Sequence, residues 1–76
     1  MSTNVVIPKH DGSFTDVLIV LWVRPDGARV RTDEPIVEYE GGGQTYTLHA
    51  PADGILHILV EEGQIVPVES VVGKIV

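Results

Sequence analysis

The sequence repeats itself once, and this repeat limits the possible folds more than any other feature of the chain. The segment DVLIVLWV at residues 16–23 resembles DGILHILV at residues 53–60, 37 positions later. Next, DGARV at residues 26–30 matches EGQIV at residues 62–66, 36 positions later, so the first turn is expected to hold one residue more than the second. Neither half of a 76-residue chain can close a core alone. The halves are therefore expected to pack on each other with pseudo-two-fold symmetry.

Short strand signals separated by turn residues indicate that the chain is all-β. Apolar runs stop at Gly, Pro and Asp clusters, and no ten-residue stretch shows helical periodicity without Gly or Pro. Two of the runs flank Gly41, Gly42 and Gly43, which predicts a β-hairpin. Short strands at such spacing favour a barrel or sandwich. The predicted strands are residues 5–7, 17–23, 36–40, 44–49, 55–60 and 71–76.

Composition argues against several classes of partner. Lys and Arg total 5 against 11 Asp and Glu, giving a net charge of −6, whereas binding to nucleic acid or to an anionic membrane needs a basic surface. The chain has no cysteine and therefore no disulfide framework or thiolate metal site. Its longest apolar run, residues 17–23, is too short to span a membrane. With no targeting segment at its start, the chain is expected to be soluble and cytoplasmic, with a protein partner that presents a basic region.

The strands and turns together resemble the lipoyl/biotinyl carrier domain family. The most specific part is residues 50–66, which begins with APADG and ends with VEEGQIV. VIPK at residues 6–9 is similar to the first strand of the lipoyl domains of 2-oxoacid dehydrogenase acyltransferases. The likeness covers nearly all of residues 1–76, which we interpret as one domain. It implies an all-β flattened barrel-sandwich hybrid of two small antiparallel sheets with pseudo-two-fold symmetry.

The resemblance also locates a missing side chain. In that family a lysine at the tip of the central hairpin, typically within Glu-Thr-Asp-Lys-Ala or Ala-Met-Lys-Met, forms an amide with lipoate or biotin. Counting back from APADG places Gly42 at the family's Asp and Gly43 at its modified Lys, and neither lysine of the chain lies in this segment. Because glycine has no side chain, the tip is expected to be mobile, smooth and chemically silent. The attachment-equivalent position is Gly43, and the rest of the tip is Glu40, Gly41, Gly42 and Gln44.

Other reactive residue types form no recognisable constellation. His10, His49 and His57 are scattered and lack the spacing of zinc ligands. The glycine run has neither the following helix nor the lysine that phosphate-binding loops use. Glu38 and Glu40 share a strand face and are expected to be solvated rather than a catalytic pair. The sequence therefore predicts no catalytic residue and no metal ligand.

Tyr39 and Tyr46 are predicted to lie nearly opposite each other across the hairpin. A cross-strand aromatic pair contributes roughly 0.2–1 kcal/mol and would stiffen the hairpin stem. The alternative is that both rings are exposed and form a partner-binding contact.

Three functions remain open from the sequence. The first, which we predict, is a non-catalytic lipoyl-domain-like protein without a cofactor. It would act by protein–protein docking or assembly in an acyl- or carboxyl-transfer system, with an acyltransferase, dehydrogenase or carboxylase component as partner. The second is a genuine lipoyl or biotinyl carrier subunit of a 2-oxoacid dehydrogenase or carboxylase complex, with the cofactor held without the standard lysine or on Lys9 or Lys74. The third is a soluble module that binds a small molecule.

Overall fold

Eight β-strands and no helix make up the structure, a computed structural model that describes all of residues 1–76. Sheet 1 has the strand order β1-β8-β6-β3 and sheet 2 the order β5-β4-β2-β7, with every pairing antiparallel. The predicted all-β barrel-sandwich is confirmed. None of its elements is a helix of the length and apolarity needed to cross a membrane. The strands are β1 Thr3–Val6, β2 Asp16–Trp22, β3 Arg29–Val30, β4 Pro35–Gly41, β5 Gln44–His49, β6 Gly54–Ile58, β7 Ile65–Pro67 and β8 Val71–Ile75.

The two sheets are built from equivalent strands of opposite halves. Exchanging β1, β2, β3 and β4 with β5, β6, β7 and β8 converts the strand order of sheet 1 into that of sheet 2. The bonds between halves are reciprocal as well. The Trp22 N–H donates to Glu62 Oε2 at 2.7 Å, and the Ile58 N–H donates to Asp26 Oδ1 at 2.8 Å. The predicted repeat is therefore a structural repeat with pseudo-two-fold symmetry.

The extra residue of the first half lies in a strand, so its predicted position in the first turn is wrong. Ile19 and Leu56 are equivalent, since their carbonyls accept bonds from the two turn glycines at 2.8 and 2.7 Å. These residues are 37 positions apart, whereas the equivalent residues Trp22 and Ile58 are 36 apart. The register of β2 against β4 shifts between Ile19 and Leu21. A β-bulge thus absorbs the additional residue and leaves the two turns matched.

An apolar core fills the space between the sheets. It contains no buried polar or charged residue, and both halves contribute to it. The indole Nε1 of Trp22 donates to the Val60 carbonyl at 2.8 Å, so the one polar atom of this large side chain is paired. The thirteen buried residues are Val5, Ile7, Val17, Ile19, Trp22, Val30, Ile36, Val37, Tyr39, Ala50, Leu56, Val72 and Ile75.

The predicted hairpin is β4 and β5, joined by a two-residue loop. Gly42 and Gly43 form the loop with φ of 59° and 81°, and Gly41 is the last residue of β4, paired with Gln44. A two-residue turn of type I′ needs positive φ at both central residues, which glycine adopts without a steric penalty. Two of the three glycines therefore form the turn, and the third needs a different explanation.

Candidate functional site

Gly43, the predicted attachment-equivalent position, is the second residue of the hairpin loop. A Cβ added at Gly43 would have no neighbour within 4 Å, so a side chain there would project into open space. Neither lysine of the chain substitutes for it on the hairpin. Lys9 lies in the loop after β1, and Lys74 lies on β8 in sheet 1, whereas the hairpin belongs to sheet 2. The loop itself therefore presents no amine.

The aromatic ring of Phe14 lies against this hairpin loop. A Cβ at Gly41 would overlap Phe14 Cε2 and lie 2.8 Å from Cδ2 and Cζ, and a Cβ at Gly42 would lie 2.6 Å from Cδ1. Both distances are too short for carbon atoms in contact, so the ring occupies the volume that side chains at these positions would need. The predicted smooth tip is therefore wrong on this side, because an aromatic ring from the loop between β1 and β2 packs on it.

Phe14 belongs to an aromatic group that we call the tip cluster: His10, Phe14, Tyr39 and Tyr46. The His10 ring centroid lies 4.6 Å from that of Phe14 and 4.6 Å from that of Tyr46. His10 Nε2 is within hydrogen-bond distance of the Tyr39 hydroxyl, at 2.8 Å. Phe14 was not among the predicted site residues, and His10 was predicted to be separate from other reactive side chains. No spacing rule could have found them, since the long loop between β1 and β2 brings them to the hairpin.

Tyr39 and Tyr46 are cross-strand partners, as predicted. Their rings stack with centroids 5.4 Å apart and planes 21° apart. Tyr39 is only 2% exposed, so the alternative that both rings are exposed is wrong for this residue. Burial raises the pKa of the Tyr39 phenol, and the neighbouring Tyr46 raises it further. Tyr46 is half-buried and donates to Gln44 Oε1 at 3.2 Å, and its role in partner binding stays a prediction.

The APADG motif fixes the start of the second half. Asp53 Oδ1 accepts bonds from the Thr32 N–H at 2.7 Å and from the Thr32 hydroxyl at 2.8 Å. Both bonds lower the pKa of Asp53, and the bond from the Thr32 backbone N–H has the larger effect. Gly54 has a φ of 150°, and a Cβ there would lie 2.5 Å from the Val76 carbonyl oxygen. The motif is therefore structural, because it ties the loop before β6 to the first half and lets β8 approach.

The remaining candidate residues do not converge on a site. His10, His49 and His57 lie on different elements, and the structure contains no group of three or more His, Asp or Glu side chains placed to hold a metal. Glu40 is exposed, as predicted, whereas Glu38 is half-buried, and neither carboxylate makes a hydrogen bond or ion pair. The larger surface cleft, of about 640 Å³, shares no residue with the tip cluster, and it is lined by Trp22, Pro25, Asp26, Ile58, Glu61 and Glu62.

No family model matches the chain, but curated proteins do. The chain is similar to the dihydrolipoyllysine-residue succinyltransferase component of the 2-oxoglutarate dehydrogenase complex from three bacteria. Identity is 32% over 74 residues for Buchnera aphidicola (96% of this chain), 33% over 76 for Rickettsia felis (99%) and 34% over 76 for Rickettsia typhi (99%). The chain spans 19% of the length of each of these relatives. The match over almost the whole chain agrees with the two-sheet fold and confirms the resemblance predicted from the residues: the chain belongs to the lipoyl-domain family.

Proposed function

We propose that this chain is an unmodified lipoyl-family domain that carries no cofactor and acts by docking to protein partners in an acyl- or carboxyl-transfer system. Its relatives are components of the 2-oxoglutarate dehydrogenase complex. We therefore expect an acyltransferase or dehydrogenase component as partner, or a carboxylase component, which the biotinyl side of the family resemblance adds. The domain itself would be an accessory rather than an enzyme, and it would act in the cytoplasm.

The observation that supports this proposal is the chemistry of the hairpin loop. Attachment of lipoate or biotin through an amide needs a primary amine, and Gly43 offers none. The packing of Phe14 against Gly41 and Gly42 adds to the argument, because the ring lies where neighbouring side chains of an attachment motif would stand. The chain has the fold of the family, but Gly43 has no side chain to which a cofactor could be attached. Contact with other proteins is a function that the fold can perform without a cofactor.

Intact mass spectrometry tests the absence of a cofactor. The chain is co-expressed with a lipoate ligase and, separately, a biotin ligase, each supplied with its cofactor, beside a lipoyl domain that has an attachment lysine as positive control. We expect the unmodified mass for this chain and an adduct for the control. An adduct of lipoyl or biotinyl mass on this chain would contradict the proposal and favour the carrier function, and the variants Lys9→Arg and Lys74→Arg would then locate it.

Docking is tested separately by titrating the purified chain into isolated acyltransferase, dehydrogenase and carboxylase components from the same cell and measuring binding by calorimetry. We expect saturable binding to one of them. A folded, unmodified chain that binds none of these components would contradict the docking role.

A further inference from the structure

The outer faces of the two sheets provide an internal comparison, because the sheets are built from equivalent strands. On sheet 2, Leu18 lies between Glu40 on β4 and Ile65 on β7, and Leu21 lies opposite Glu38. Ile65 is 70% exposed and Leu21 44%, whereas Leu18 between them is half-buried. Adjacent exposed aliphatic side chains are more informative than single ones, since contiguous apolar patches mark contact surfaces.

Sheet 1 has different chemistry at three of the equivalent positions, whereas the counterparts of Leu18 and Glu40 are the aliphatic residues Ile55 and Val76. The counterpart of Leu21 and Glu38 is the pair His57 and Lys74. The counterpart of Ile65 is Arg29, which lies opposite Ile55 on β6 as Ile65 lies opposite Leu18 on β2.

One fold thus accommodates polar and cationic side chains at these positions on one sheet. Folding therefore does not require aliphatic residues at the positions of Leu21 and Ile65, and the exposure of these two side chains on sheet 2 needs another reason.

The acidic side chains of this surface have no Lys or Arg within ion-pair distance. The only ion pair in the structure joins Arg24 to Glu34 at 3.3 Å, and the carboxylates of Glu38 and Glu40 take part in no hydrogen bond or ion pair. The complementary surface would therefore place Lys or Arg opposite these carboxylates and aliphatic side chains opposite the leucines and Ile65. Interfaces combine an apolar centre with charged groups at the rim that guide association and fix the register.

We propose that this surface docks a partner protein whose contact area presents aliphatic side chains together with Lys or Arg. The inference rests on the docking function proposed above and names the surface that performs it. We call this surface the aliphatic–acidic face, and it consists of Leu18, Val20, Leu21, Glu38, Glu40 and Ile65. None of the residues of the tip cluster belongs to this face.

The test is a titration of the ¹⁵N-labelled full chain with a short peptide of alternating Leu and Lys, followed by NMR. Chemical-shift changes are expected to concentrate on the aliphatic–acidic face, and binding is expected to weaken as salt rises. Ile65→Ser should weaken binding about tenfold, and Glu38→Gln with Glu40→Gln should weaken it several-fold with a smaller salt dependence. Ile65 is a suitable target because its exposed side chain contributes little to the core.

Two variants and one peptide serve as matched controls. Val71→Ser removes an exposed aliphatic side chain from sheet 1, although Val71 is less exposed (41%) than Ile65 (70%). Glu61→Gln removes a carboxylate from the larger surface cleft, which we call the acidic cleft because Asp26 and Glu62 also line it. Both are expected to bind the peptide as the parent chain does, and a peptide of alternating Leu and Glu is expected not to bind.

Several outcomes would overturn the proposal. One is a set of chemical-shift changes centred on the acidic cleft or spread over the whole surface of the chain. Another is an affinity of Ile65→Ser for the peptide that equals that of the parent chain. Concentration-dependent association of the chain through this face without peptide would also overturn it, since the occupant would then be a second copy.

The same variants separate this inference from the proposed function. If the parent chain and Ile65→Ser bind an isolated transferase, dehydrogenase or carboxylase component equally well, the docking function is supported, but its assignment to the aliphatic–acidic face is wrong. If the parent chain binds none, the docking function itself fails.

Discussion

Replacing Gly41 by Ala tests whether Phe14 is the reason for the third glycine of the hairpin. Gly41 lies in β4 with a φ outside the left-handed region, so its backbone suits alanine. In a strand interior this change by itself stabilises by roughly 0.5–1 kcal/mol. The new methyl group, however, would overlap the Phe14 ring.

The magnitude follows from these two opposing effects. Overpacking of a filled site typically costs about 1–3 kcal/mol. Subtracting the backbone gain leaves a destabilisation of about 0–2.5 kcal/mol for Gly41→Ala in the parent chain. In a Phe14→Ala background the overlap is gone, and the same change should stabilise by about 0.5–1 kcal/mol. The coupling energy of the two sites is then about 1–3 kcal/mol, toward the lower end because Phe14 is half-buried and its ring can shift.

The assay is urea unfolding of the four proteins of this double-mutant cycle. The fluorescence of the single tryptophan reports on the core, since Trp22 is 9% exposed. Gly43→Ala is the matched control, because this position has a φ of 81° and open space around it. Its cost of about 1–2 kcal/mol should be the same with and without Phe14. An equal effect of Gly41→Ala in both backgrounds would refute the reasoning.

Three further predictions concern the repeat and its turns. Glu62→Ala and Asp26→Ala should each destabilise by about 0.5–1.5 kcal/mol and to a similar degree, measured by urea unfolding, because they remove reciprocal bonds to backbone N–H groups. Glu69→Gly should stabilise by about 0.5–1 kcal/mol, measured by thermal unfolding, because Glu69 has a φ of 71°. The pKa of Asp53 is lowered in the folded chain, so its contribution to stability is present above the ordinary pKa of an unfolded aspartate and is lost as the pH falls through the lower folded pKa. Asp53→Asn should therefore reduce the loss of stability on acidification, measured as urea midpoints over that pH range.

Features fixed by local chemistry could be predicted from the sequence. The hairpin was predictable because consecutive glycines between two β-branched runs supply the positive φ of a tight turn. The facing tyrosines followed from counting outward from that turn. The repeat was visible because both halves keep their turn glycines and apolar positions at matched spacing. Each of these inferences depends on residues that are close in sequence or on a pattern that occurs twice.

Features that depend on contacts distant in sequence could not be predicted. The offset between the repeats revealed one extra residue but not its place, because a longer turn and a β-bulge near Val20 give the same count. The packing of Phe14 on Gly41 was hidden for a related reason. The loop between β1 and β2, which carries Phe14, follows no periodicity. Its sequence therefore does not indicate which surface the Phe14 ring packs on.

That packing also changes how an attachment site could be restored. Gly42→Asp with Gly43→Lys would recreate the family's Asp-Lys pair if the predicted register is right. Asp tolerates the φ of 59° at Gly42, but its Cβ would lie 2.6 Å from Phe14 Cδ1. Lys at Gly43 meets no neighbour, although its φ of 81° costs about 1–2 kcal/mol. Phe14→Ala should therefore be needed for efficient modification.

The double variant is Gly42→Asp with Gly43→Lys, and the triple variant adds Phe14→Ala. Intact mass after treatment with a lipoate ligase should show more lipoylation of the triple variant than of the double variant, and none of the parent chain. Phe14→Ala with Gly42→Asp is the control, because it has the reshaped loop without the amine and should stay unmodified. Equal modification of the double and triple variants would show that Phe14 does not obstruct the loop. A triple variant that unfolds cooperatively, as the parent chain is expected to do, yet accepts no lipoate would contradict the register that places Gly43 at the attachment position. The bare loop would then differ from an attachment site in more than its missing lysine.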